Sequence, residues 1–249
     1  MIKLEDMVLP SPQQWRTIIM GLRNPKNSWS MSDSEIKYEN VRDSEGYMDL
    51  GSKDHDLMMR LAKGGPVHAK YRRMITVYVD ITAPLYWWKE FDTYKVGTVA
   101  NSCSTMHKLT DKEFTIDDFS CEHLMDSYLG EDRDVNMDVC DGDWTPMNIL
   151  GFTVESLNHY RKLYLEAKVK PMKEESKRKD LMKKYWWQMI QLLPSSYNQK
   201  RTVMFNYEVL HNMYKWRKNH KLDEWVEFCK WIESLPYSEI ITCKVEDEE

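Results

Sequence analysis

The chain has 249 residues, of which 42% are hydrophobic and 12% aromatic, and this supply of apolar surface excludes a chain that is disordered along its length. Thirty-five Lys plus Arg against forty Asp plus Glu leave a net charge of -5, so no partnership with nucleic acid is expected and any phosphate site must be local. A mean hydropathy of -0.66, with no apolar run of spanning length, excludes a helical membrane protein.

In chain order, Met1 to Leu9 alternates loosely and predicts an edge strand. Pro10-Ser11-Pro12 then opens a helix with Trp15, Ile18, Ile19 and Leu22 on its apolar face, and Asn24-Pro25 stops it. Residues 26–50 read as a long polar loop, and Asp54 to Lys63 as a short helix closed by Gly64-Gly65-Pro66. The run Ile75-Thr76-Val77-Tyr78-Val79 is the best strand signal, and Ala83-Pro84 opens a helix carrying Tyr86, Trp87, Trp88 and Phe91. Asp111 to Asp143 reads as acidic and irregular, with one helix near Asp117 to Tyr128. Long helices are expected over Asn148 to Ala167 and Glu174 to Leu193, a strand over Lys200 to Phe205, and helices over Tyr207 to Lys218 and Leu222 to Ser234. The last residues, 244–249, form an acidic tail. Many helices around few strands predict a mixed α/β (α+β) fold in a single domain, 1–249, with no G-x-G-x-x-G or P-loop to mark a dinucleotide-binding βαβ unit.

Five cysteines, odd in number, far apart and without C-x-x-C, are expected as free thiols, and the first residues lack the pattern of a signal peptide, so a cytoplasmic location is expected. Asp132, Asp134, Asn136, Asp138 and Asp143 alternate as in a calcium loop, but Met137 replaces the turn glycine and no bidentate Glu closes it. Cys121, His123 and Cys140 fit no common zinc spacing, and no metal is expected. Eight Lys and Arg lie between Lys168 and Lys184, where pairs such as Glu175 with Lys179 make a solvated helix face the simpler reading than a phosphate site.

Two segments add a resemblance. Leu192-Leu193-Pro194, then Asn206, Leu210 and Asn212, then Arg217 and Trp225, match the C-terminal signature of the flavin-dependent thymidylate synthases. The stretch from Ala83-Pro84 to Lys108-Leu109 has the spacing of the segment in which that family carries its Arg-His-Arg-x-x-Ser-x-Asn-Glu-x-Ser-x-Arg-Tyr motif. Counted without a gap, the motif falls on Thr93 to Met106, where only Lys95 keeps a positive charge; sliding by one residue recovers Asn101 and Ser104 as its Asn and Ser. Glu208 reverses the charge of the family's Asn-x-Arg.

The resemblance covers residues 55–235 and implies helices around a small sheet, assembled as a homotetramer with FAD as cofactor. It implies reductive methylation of dUMP or a related uracil nucleotide, with methylenetetrahydrofolate and NADPH as co-substrates. It places Lys95, Thr98, Asn206 and Asn212 at the flavin, and Asn101, Ser104 and Arg217 at the nucleotide. Arg217 would be the catalytic residue, its planar guanidinium meeting charge that builds up on the uracil carbonyl oxygens. The alternative on the same scaffold is a non-catalytic nucleotide-binding or sequestering protein.

Overall fold

A computed structural model describes residues 1–38, 46–126, 145–171 and 174–245. β1 (Lys3–Val8) leads to α1 (Pro12–Arg23), whose start is a capping box: the Ser11 amide donates to the Gln14 side chain and the Gln14 amide to the Ser11 hydroxyl. The apolar residues predicted for its face, Trp15, Ile18, Ile19 and Leu22, are all buried. Two short 3₁₀ turns and the hairpin strands β2 (Glu35–Lys37) and β3 (Tyr47–Asp49) follow, then α2 (Ser52–Lys63). β4 (Thr76–Pro84) runs into α3 (Leu85–Phe91), and β5 (Val99–Ser102) precedes the helices α4 (Pro146–Val169) and α5 (Glu175–Leu192). β6 (Asn198–Asn206), α6 (Tyr207–Arg217), α7 (Asp223–Glu233) and α8 (Glu239–Thr242) complete the chain's described elements.

These elements fall into two compact units. The first, Cys103–Gln199 with Ala83–Tyr86 and Met1, packs α4 along α5 over a core of Leu109, Phe114, Phe119, Leu150, Val154, Leu157 and Met189. Each such side chain, fully buried, contributes about 1.5–3 kcal/mol against leaving it in water. The second unit, Ile2–Thr82, Trp87–Ser102 and Lys200–Glu249, holds most of a sheet of order β1-β4-β6-β5. Along β4, Val77, Val79, Ile81 and Ala83 are buried while Tyr78 faces out, which is the period of two that a one-sided strand needs. Trp87, Phe91, Phe205, Trp225 and Phe228 form an aromatic core whose ring pairs include Trp87 on Trp225 at 4.8 Å and Phe91 against Phe205 at 5.8 Å.

The structure corrects two expectations and adds a strand. No helix follows Asp117 among the described residues: Ile116–Asp118 is a single 3₁₀ turn, after which Phe119 bridges Tyr197 and the Ser120 amide donates to Ser196, so main-chain pairing holds the segment extended. The loop over 26–50 contains the β2–β3 hairpin, and the stretch between Phe91 and Leu109 contains β5, which pairs antiparallel with β6 from Val99↔Met204 to Ser102↔Arg201. All of β5 is exposed, so it carries no apolar alternation to reveal it. Asp132, Asp134, Asn136, Asp138, Asp143, Cys140 and residues 246–249 of the acidic tail lie outside the described residues.

Candidate functional site

α3 buries Trp87, Trp88 and Phe91, which leaves Glu90 half-exposed at the helix's end, and a turn then closes as the Thr93 and Tyr94 amides donate to Glu90 and Phe91. α6 buries Val209, Leu210 and Met213 and carries Arg217 at its last position. The Arg217 guanidinium meets this turn: Nη1 lies 3.0 Å from Glu90 Oε2, and Nε donates to the Tyr94 hydroxyl at 2.9 Å. It also sits 5.0 Å from the Trp225 ring centroid and 5.6 Å from that of Tyr94, within cation–π range. Glu90 Oε2 further accepts from Trp225 Nε1 at 3.1 Å and faces His220 Nε2 at 3.4 Å. The Leu222 amide donates to His220 Nδ1, which leaves Nε2 facing Glu90. The Arg217 side chain keeps 20% exposure; its Nε is engaged by the Tyr94 hydroxyl, and Glu90 meets it as an ion pair. Arg217 is thus a fixed, part-buried cation rather than a solvated one.

Of the other residues implied by resemblance, Lys95 and Thr98 lie on the turn after Tyr94, where the Thr98 hydroxyl donates to the Tyr94 carbonyl at 2.7 Å. Gly97 between them has φ +86 and packs onto the start of α6: a Cβ there would stand 2.7 Å from Val209 and 2.9 Å from the Asn206 amide. So this turn and Asn206 are brought together. Asn206, however, caps α6, its Oδ1 accepting from the Val209 amide at 3.0 Å. Asn212 is exposed on α6, Asn101 is exposed opposite Thr202 on β5, and neither is joined to this group by a hydrogen bond. Ser104 belongs to the first unit and accepts from the His107 amide at 3.0 Å.

Glu208, the reversed charge, turns inward to a buried arginine. Its Oε2 is 3.5 Å from Nη1 of Arg72, a side chain only 1% exposed, whose Nη2 donates to Cys243 Sγ at 3.1 Å. The pair is an ion pair without a hydrogen bond, and both Glu208 Oε2 and Arg72 Nε lack a hydrogen-bond partner. Beside it, burial pushes the Tyr71 hydroxyl far above the usual phenol range while that hydroxyl donates to the Met58 carbonyl. Glu90, Tyr94 and His220 did not stand out in sequence; Arg72, a cation that the sequence offers for a phosphate, is instead buried against Glu208.

The first unit holds a groove of about 560 Å³. Its walls are Lys179, Met182, Lys183 and Trp186 of α5, Tyr164 of α4, and Met106, His107 and Thr110. Elsewhere on this basic helix, Lys177 and Arg178 pair with Glu174 and Glu175, as a solvated face would. Among the described residues no group of three His, Cys, Asp or Glu could hold a metal ion, Cys103, Cys121, Cys229 and Cys243 are free thiols, and no helix is long and apolar enough to cross a membrane.

No protein-family model and no curated protein sequence matches the chain. Solved structures do. The Helicobacter pylori flavin-dependent thymidylate synthase ThyX complexed with FAD and dUMP superposes with a TM-score of 0.53 at 15% identity, covering 96% of this chain and 95% of that one. The fold is that of the flavin-dependent thymidylate synthases. A UMP/dUMP methylase, PolB from Streptomyces cacaoi, bound with 5-Br dUMP, superposes with a TM-score of 0.55 at 12% identity over 98% of this chain and 95% of that one. This chain thus shares the fold of those proteins at 12–15% sequence identity.

Proposed function

We propose that the protein binds dUMP or a related uracil nucleotide and methylates it reductively, with FAD as cofactor and methylenetetrahydrofolate and NADPH as co-substrates. The observation that carries this reading is Arg217, a guanidinium fixed by Tyr94 and Glu90 yet still offering donors, on a scaffold whose neighbours hold FAD and dUMP. A uracil ring placed against it would find a planar fork for a carbonyl oxygen on which charge accumulates, worth about 1.5–3 kcal/mol for a charged hydrogen bond. FAD, when bound, would supply the hydride and relay the one-carbon unit. The chain's donor set fits the ring better than the phosphates: Lys95 is the sole cation from Thr93 to Met106, and a point charge replaces a fork. Asn212 is free to reach a ring edge, and Asn101 would add an amide contact to the nucleotide.

A second reading, nucleotide binding without catalysis, is favoured by Glu90, which neutralises the cation that would stabilise an anionic transition state. Self-association as a homotetramer is part of the first reading, supported by exposed Trp216, Trp187 and Phe152; light scattering of purified protein should return a mass near four chains, and a monomer mass overturns it. The deciding experiment is a thermal shift with FAD and dUMP together, followed by release of tritium from uracil C5 with all co-substrates present. Stabilisation with release supports the enzyme, stabilisation alone the binder, and neither result removes both.

A further inference from the structure

The groove on α5 goes beyond the Arg217 reading and stands without it. We propose that it is a binding site for a heteroaromatic phosphate monoester, formed by Lys179, Lys183, Trp186 and Tyr164.

Lys179, Lys183 and Trp186 recur at positions four and then three apart, so they share one face of α5. Trp186 is not free to swing, because its Nε1 donates to the Met106 carbonyl at 3.0 Å. The stretch from Met106 to Thr110 is pinned as well: Arg161 Nε donates to the Thr110 carbonyl at 3.0 Å. The indole is therefore held with its polar edge satisfied against protein, and what it contributes to the groove is ring surface for stacking. Among the described residues no carboxylate lines the groove; Lys179 pairs with Glu175 at 3.8 Å, an exposed contact that solvent screens. Two ammonium groups, one of them met only by that screened pair, beside stacking surface in a chain of net charge -5 select a small anion over a polyanion. A volume of about 560 Å³ suits a mononucleotide or a flavin mononucleotide. His107 and Thr110 at the rim add hydrogen-bonding groups for a sugar or a phosphate oxygen.

Tryptophan fluorescence of the full chain titrated with dUMP, FMN, uridine and inorganic phosphate tests this. The expected result is quenching by dUMP or FMN at a concentration at least about tenfold below that needed for uridine or phosphate, since base and phosphate are both recognised; which of the two wins separates a nucleotide from a flavin source. The double variant Lys179→Ala/Lys183→Ala should weaken that ligand at least about tenfold, while Lys184→Ala, outside the groove, should leave it unchanged. Trp186→Phe should remove most of the quench and keep stability. The same titrations on Arg217→Ala report the other site: a loss there together with full affinity in the double lysine variant overturns the groove and spares the Arg217 reading, and the reverse pattern does the opposite. Binding of none of the probes overturns the proposal outright.

Discussion

Two arginine–carboxylate pairs in the same unit show opposite designs. Arg23 and Asp54 are 3% and 0% exposed, and the Asp54 carboxylate accepts from Arg23 Nε at 2.5 Å, from the Ser32 and Ser34 hydroxyls at 2.7 Å, and from the Asp33 and Ser34 amides at 3.1 Å. Arg217 and Glu90 are 20% and 35% exposed, and the fork of Arg217 is only partly engaged. A buried charge is tolerable only when every lone pair is met, so the first pair is saturated and has nothing left to offer a ligand. The second gives up that saturation. An arginine that is oriented but unsaturated is what recognition of an incoming oxygen requires.

The largest expected effect lies at the saturated pair. Asp54→Ala leaves Arg23 buried without a counter-charge and should cost about 3–5 kcal/mol of folding stability, read as a drop in the urea midpoint. If that variant does not fold, Ser34→Ala, which removes one of the hydroxyl donors, should cost about 1 kcal/mol. Neither change should alter nucleotide affinity per folded molecule. Were Asp54→Ala as stable as the parent, the distinction between the two pairs would collapse.

Acid should find the same difference. Burial pushes the Asp54 carboxyl up, but hydrogen bonds from Ser34, Ser32 and Arg23 outweigh it and hold the group below its ordinary value. A depressed folded pKa means stabilisation that is complete above the unfolded value of about 4 and lost as pH falls below it toward the folded one. Asp33, lowered chiefly by the Lys53 amide at the start of α2, adds to the same slope. Asp54→Asn should therefore flatten the loss of stability between about pH 4 and pH 2 relative to the parent; an unchanged acid limb would remove Asp54 from the account.

At the open pair the effect moves from stability to affinity. Arg217→Ala should shift folding by no more than about 1 kcal/mol and weaken dUMP binding by about 1.5–3 kcal/mol, or more than tenfold. Glu90→Gln sharpens this: removing the neutralising charge while keeping an acceptor should tighten dUMP binding, and by isothermal titration the change should be severalfold at most, because the pair is part-exposed. Equal dUMP affinity in Arg217→Ala and the parent would end the uracil reading.

Residues far apart in sequence explain what was and was not legible beforehand. Helical spacing of Trp15, Ile18, Ile19 and Leu22, and alternation at Val77, Val79 and Ile81, record burial directly, so α1 and β4 could be read from the chain. β5 could not, because an exposed edge strand is held by main-chain bonds that any side chain permits. Arg217 was legible through a C-terminal signature, whereas Glu90, 127 residues earlier, and the Arg72 that answers Glu208 are set by tertiary contact alone. The groove was half visible: basic residues on α5 were evident, but which of them lack acidic partners depends on how the side chains settle.

The smallest effect separates two uses of one side chain. Asn206 resembles a flavin-contacting residue, yet its Oδ1 already caps α6 by accepting from the Val209 amide at 3.0 Å. A cap of this kind is worth about 1 kcal/mol, and Asp serves as well as Asn because a carboxylate accepts the same amide and suits the positive end of the helix. Asn206→Ala should thus lower stability by about 1 kcal/mol, measured in urea, and Asn206→Asp should restore it. An amide that also donates to a flavin loses that donor in the aspartate and places a negative charge beside it. Bound flavin, followed by absorbance at about 450 nm, decides. If Asn206→Asp keeps both stability and flavin, the residue is a cap and nothing more; if it keeps stability and loses flavin, Nδ2 has a second partner. Gly97 makes the measurement clean, since its lack of a Cβ is what leaves Nδ2 room beside the turn, and a substitution at Asn206 itself leaves that approach untouched.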